Sequence, residues 1–271
     1  MPMVIVPGLL AAGIGSLLAI GIGSWTGLNR SAIALGPIQH LPHFAAPTVG
    51  EFGWTIGLAI VIGICVHGVM RGGLLTHKFA APRPLMVLPV VGLVVAGLAI
   101  AFSQAEGHSA NYVLFSGESG LPGLVAQAGT WSIAALVLLI VFKGIAYGLS
   151  LGSFRGGPTF PAVFLGAAGG LLASHLPGFP VTAAVAVGMG AATVAVLRLP
   201  LSAIALATLL TVQAGIGDEP LIIVGVVVAY LVTLVLARRD QDKPSSSDAA
   251  APASDVRTPV PATGPAVDHG N

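Results

Sequence analysis

Charge is what this sequence has least of. Only 8% of its 271 residues are Asp, Glu, Lys or Arg, against roughly 25% in a soluble globular domain. An ordinary water-soluble fold is excluded on that ground. A net charge of +1 leaves no general field to gather nucleic acid. The single cysteine, Cys65, lies in an apolar run and excludes a disulfide framework and a cysteine-rich metal site. Aromatics are scarce at 6% while glycine reaches 37 residues, so the helices expected here are lined with small side chains that let backbones approach. The short alternating segments of an outer-membrane barrel are also lacking. The first apolar run has no basic leader and continues to about Trp25, which is long enough to span a bilayer rather than be cleaved.

What is present is hydrophobic: 55% of residues, with a mean hydropathy of +0.94. Apolar runs fall near 3–24, 54–70, 85–103, 131–151, 159–177, 180–197, 200–214 and 220–237. Several are shorter than the ~20 residues that cross a bilayer as helix. They are punctuated by Pro177-Gly-Phe-Pro180, Leu199-Pro200 and Asp218-Glu-Pro220, each a helix boundary. Short, interrupted hydrophobic helices are typical of transport proteins. The plainer alternative is a set of tilted spans without a site. The expected fold class is an all-α, multi-pass membrane protein with short and re-entrant helices. Two domains are expected: a membrane domain over 1–238 and a disordered polar tail over 239–271. Residues 71–84 read as a basic loop (Arg71, His77, Lys78, Arg83) and, with Arg238 and Arg239, as candidate cytoplasmic flanks.

The chemistry is sought in two Gly-rich loops, 115–123 and 151–162. In the second, Gly156 and Gly157 permit a tight, closely approached backbone. Pro158 and Pro161 suit an extended lead-in and a first helical turn. The product is a helix N-terminus, beginning near Pro161, whose unsatisfied N–H groups and positive dipole end can hold an anion. A simple re-entrant turn is the equal alternative.

The stretch Lys143 to Gly170, KGIAYGLSLGSFRGGPTFPAVFLGAAGG, resembles a signature region of the CLC chloride channel and chloride/proton exchanger family. There, a basic helix leads to a G-G-x-F-x-P loop and a helix carrying P-x-x-x-x-G-A. The segments from Val185-Gly-Met-Gly-Ala-Ala and from Val196-Leu-Arg-Leu-Pro-Leu-Ser are similar to the family's G-M-G-A and R-x-P-L-(S/T) stretches. The likeness covers about 113–237, vaguely 4–112, and suggests the last helix of the first half plus the entire second half of the family's inverted-repeat membrane domain. It implies a homodimer with contacts partly from 200–214 and 220–237, and an anion site at Gly156, Gly157, Thr159, Phe160 and Pro161, where main-chain N–H groups of the loop and helix N-terminus hold chloride. Departures accompany it. Thr159 falls where phenylalanine is usual, Phe160 is shifted by one, and Pro158 stands where an amide donor would be. Ser119-Gly-Leu-Pro-Gly123 imitates the family's G-S-G-I-P, but its gating G-(K/R)-E-G-P has no match. A fragment, or a chain working with another half, is therefore expected.

Lys143 and Arg155 are candidate electrostatic contributors, although Lys143 could equally bond carbonyls or snorkel. Glu118 either pairs with Lys143 or lies in a wet loop. Arg198 reads as structural. His40 and His43 make a poor metal pair because Pro42 breaks the helix between them. His67 and His175 read as buried, hydrogen-bonded residues. Gly117-Glu-Ser-Gly120 also fits the G-x-S-G of rhomboid-like intramembrane serine proteases, with Ser119 as nucleophile and His175 or His67 as base. A non-conducting structural subunit is a third reading. The favoured expectation is chloride or small-anion transport, as channel or proton-coupled exchanger, with no enzymatic activity, organic cofactor or metal. The expected setting is a prokaryotic plasma membrane.

Overall fold

The structure, a computed structural model, describes residues 2–26, 36–39 and 41–241. Among these it is helical and contains no strand. The helices are α1 (Pro2–Thr26), α2 (Val49–Ala80), α3 (Pro84–Glu106), α4 (Leu121–Ala126), α5 (Ile133–Ser153), α6 (Thr159–Ala173), α7 (Val181–Leu197), α8 (Pro200–Thr211) and α9 (Glu219–Gln241). The expectations on His40 and on most of the tail fall outside the described residues.

Helix boundaries follow the local chemistry. Glu51 reaches back to accept the Thr48 N–H at 2.8 Å, opening α2. Ser132 caps α5 by accepting the Ala135 N–H at 3.0 Å. Pro84 and Pro200 stand at or next to the first helical positions of α3 and α8, where a missing N–H costs nothing. Gly107 closes α3 in the left-handed conformation, φ 69°.

Two expected limits are corrected. Residues 71–80, expected as a basic loop, continue α2. Polarity marks where lipid ends, whereas the helix persists because Gly73 packs on α5 and the His77 ring meets the Gly152 carbonyl at 3.2 Å. The boundary expected at 238/239 falls inside α9, which runs through Gln241. There Asp240 takes Arg71 (3.0 Å) and His67 (2.9 Å), tying the C-terminal ends of α2 and α9 together.

Helices α2, α3, α5 and α9 are long and apolar enough to cross a membrane. Helices α6, α7 and α8 have 15, 17 and 12 residues. At about 1.5 Å per residue they fall short of a hydrocarbon core of about 30 Å. Helix α7 is apolar all round and buried from Thr182 to Ala195, with α2, α6, α8 and α9 packed against it. It runs antiparallel to α6, and the two backbones nearly touch: a Cβ on Gly166 would strike the Gly188 carbonyl, and one on Gly170 that of Ala184. This small-residue seam fixes α6 at the centre of the molecule.

Candidate functional site

The C-terminal end of α5 releases the chain into residues 154–158, and Tyr147, nearly two turns before that end, holds the loop by donating to the Pro158 carbonyl at 2.7 Å. Helix α6 then starts at Thr159, two residues earlier than expected, with Pro158 as a cap that offers no side-chain bond. The first N–H groups of a helix have no intrahelical acceptor. Pro158 and Pro161 carry none, so the terminus presents the N–H groups of Thr159 and Phe160. Pro161 belongs to the first turn and removes a donor rather than supplying one. Gly156 and Gly157 are exposed, and a Cβ on either would meet nothing within 4 Å. Phe160 is 36% exposed and Thr159 half-buried. The terminus is open, donor-bearing and lacks a side-chain cap.

Lys143 is placed elsewhere. It lies four residues before Tyr147 on the same face of α5 and is 1% exposed. Its Nζ stands 3.1, 2.8 and 2.8 Å from the carbonyl oxygens of Val113, Leu114 and Phe115. An ammonium has three hydrogens, and all three are engaged. Its charge also lies 5.1 Å from the centre of the Phe164 ring on α6. Lys143 thus anchors the 113–115 backbone, with Phe115 at φ 55°. The adjoining Gly117 has φ 85°, and Phe164 fills the space a side chain there would need, 2.6 Å away. Burial pushes the Tyr112 hydroxyl beside this loop above its usual value. Sequence reasoning had the lysine but not its acceptors; a lone cation in an apolar helix signals only that acceptors exist.

The other candidates separate. Arg155 is exposed beside the α6 terminus. Arg198 ends α7 in the left-handed conformation, φ 56°. Glu118 is half-buried and makes no ion pair with Lys143. Ser119 is exposed, while His67 engages Asp240 and His175 donates to the Leu171 carbonyl at 3.1 Å. The protease alternative therefore has no serine–histidine pair and is not favoured. No cluster of three or more metal-ligating side chains occurs among the described residues.

Topology sorts the charges by end. The C-terminal ends of α2, α5 and α9 lie together, held by Asp240 and by the His77–Gly152 contact. The α2–α3 turn, the start of α6 and the end of antiparallel α7 share that end. Arg71, Lys78, Arg83, Arg155, Arg198, Arg238 and Arg239 therefore lie toward that end, together with Asp240. Glu51, Glu106, Asp218 and Glu219 lie at the opposite end.

Spanning helices and a buried layer of short ones define an integral, multi-pass membrane protein. The chain belongs to the voltage gated chloride channel family, whose profile matches residues 2–234. Among curated proteins it is similar to YfeO, provisionally named as an ion-transport protein. The copy from Escherichia coli O1:K1 / APEC is 33% identical over 155 residues. Those from E. coli strain K12 / DH10B and Shigella boydii serotype 18 are 32% identical over the same length. Each match covers 55% of this chain but 36% of the relative, so the chain spans about a third of the length of these proteins.

Proposed function

We propose that the chain forms part of a pathway carrying chloride or a similar small anion across a bacterial membrane. The observation that carries this reading is the start of α6: two N–H groups without helical partners, in an open Gly-rich loop at the cationic end. N–H groups and a dipole bind an anion with less than a full counter-charge, so the ion can leave as readily as it enters. Exposed Arg155 raises the local potential and steers anions to the loop. Membership of the chloride channel family and the naming of YfeO support the same reading.

In this reading the domain is the second half of an inverted repeat, and the remaining walls of the ion path come from sequence that the longer relatives possess. An apolar groove of about 1080 Å³ between α2, α5 and α6, lined by Gly57, Gly68, Gly144 and Gly148, supports a further helical partner. Ile223, Val227, Leu231 and Val235 form an exposed apolar stripe along α9, which supports a dimer contact there. Positive residues favour the cytoplasmic side, which places the α6 terminus at that face. The chain catalyses no covalent reaction, and transport proceeds as channel or proton-coupled exchange. The test is chloride efflux from liposomes holding the full-length natural protein. Efflux that falls when Thr159 and Phe160 are replaced by proline supports the reading; efflux unchanged by both overturns it.

A further inference from the structure

The loop between α8 and α9 holds a buried acid without a partner. Asp218 is 1% exposed, and neither carboxyl oxygen has a hydrogen-bond partner. It lies under a strap formed by residues 36–39 and 41–45. The Ile38 N–H donates to Leu210 O (2.8 Å), the Phe44 N–H to Ala214 O (2.9 Å), and the Thr182 hydroxyl to Pro42 O (2.7 Å). The Phe44 and Ala45 carbonyls close over Gly217, leaving no room for a Cβ. The Thr211 hydroxyl stands beside the carboxyl. That hydroxyl also donates to Ala207 O at 3.1 Å.

The charged surroundings agree. Glu219 follows directly in α9 and adds negative charge. His43, on the strap, is exposed with its ring against Gly215. Glu51, in the first turn of α2, is occupied by the Thr48 N–H. No ion pair among the described residues reaches Asp218. An isolated carboxylate is costly to bury, so this setting favours the neutral form. Burial raises the carboxyl above its usual range; the Thr211 hydroxyl and the residue's own backbone N–H oppose this, and Glu219 adds a smaller push upward.

We propose that Asp218 is a proton-binding site, holding its proton while the strap lies over it and releasing it to water when the strap lifts. The O–H bond breaks, the electron pair stays on the carboxyl oxygen, and the proton passes to water. The site is independent of which ion the domain carries.

The test is thermal unfolding of the full chain in detergent from pH 4.5 to 8.5, comparing wild type with D218N, which keeps the shape and cannot ionise. A group whose native pKa is raised contributes stability at low pH and loses it as pH climbs through that value. The wild-type midpoint, relative to that of D218N, is therefore expected to fall by roughly 3–5 °C per pH unit between the free carboxyl's value and the raised native one, and to level off above it. D218N is expected to lack that component of the fall and to be the more stable form at pH 8.5. Parallel profiles overturn the proposal. So does a wild-type midpoint that sodium or potassium raises at pH 8.5 in a manner D218N lacks, because the carboxylate would then be ionised and hold a cation. Should D218N fail to fold, infrared spectra of wild type labelled with carbon-13 aspartate decide. A protonated-carboxyl band at pH 7 that exchanges slowly in heavy water supports the site, and its absence overturns it.

Discussion

Lys143 has three hydrogens, and the 113–115 backbone supplies three acceptors. Replacing it by methionine keeps the bulk and strands three carbonyls, each worth about 1–3 kcal/mol when left buried and unpaired. Lys143→Met is expected to lower the unfolding midpoint in detergent by at least the cost of one such group. A midpoint equal to wild type would mean that something else serves those carbonyls. The α6 terminus makes the opposite kind of prediction. Pro161→Ala adds a third N–H beside those of Thr159 and Phe160. A hydrogen bond to a charged group is worth roughly 1.5–3 kcal/mol, so chloride affinity should rise about tenfold or more. Calorimetric titration of the full-length protein with chloride checks it, and an unchanged affinity counts against the terminus. Arg198, at φ 56°, occupies a conformation that favours glycine. Arg198→Gly should raise stability by about 0.5–1 kcal/mol in the same melting assay. A loss would show that the arginine side chain makes up for its own backbone cost.

Between elements, the seam of α6 and α7 is the least forgiving place in the molecule. A Cβ on Gly166 meets main chain of the neighbouring helix, which cannot rotate away as a side chain can. Gly166→Val is expected to abolish a monodisperse peak in gel filtration. Gly156→Ala, at a position with open space around it, should leave the peak intact. The prolines made many boundaries legible: Pro180 precedes α7, Pro200 opens α8, and Asp218-Glu-Pro220 marks the start of α9. The Gly-rich loop into α6 was legible for the same reason. The far end of α2 was not, because hydropathy reports contact with lipid and says little about where hydrogen bonding stops. Helix α4 was missed because six residues are too few to show a period. The partners of Lys143 and the isolation of Asp218 were beyond the sequence altogether. Both depend on segments far away along the chain that only packing brings together.

For the whole molecule, the gathering of arginine and lysine at one end makes a prediction about orientation. In a Cys65→Ser background, cysteine placed at Lys78 should react with an impermeant thiol reagent only in inside-out vesicles. Labelling in intact cells would reverse the assignment, and the α6 terminus would then open outward. The lysine anchor also constrains the order in which the chain can be built. Val113, Leu114 and Phe115 leave the ribosome 30, 29 and 28 residues before Lys143. At roughly 5–20 residues per second, that is an interval of one to several seconds. Hydrocarbon offers those carbonyls no donor during the wait. The segment must therefore linger at the water interface while α5 is threaded, and it descends only once the ammonium has arrived to receive it.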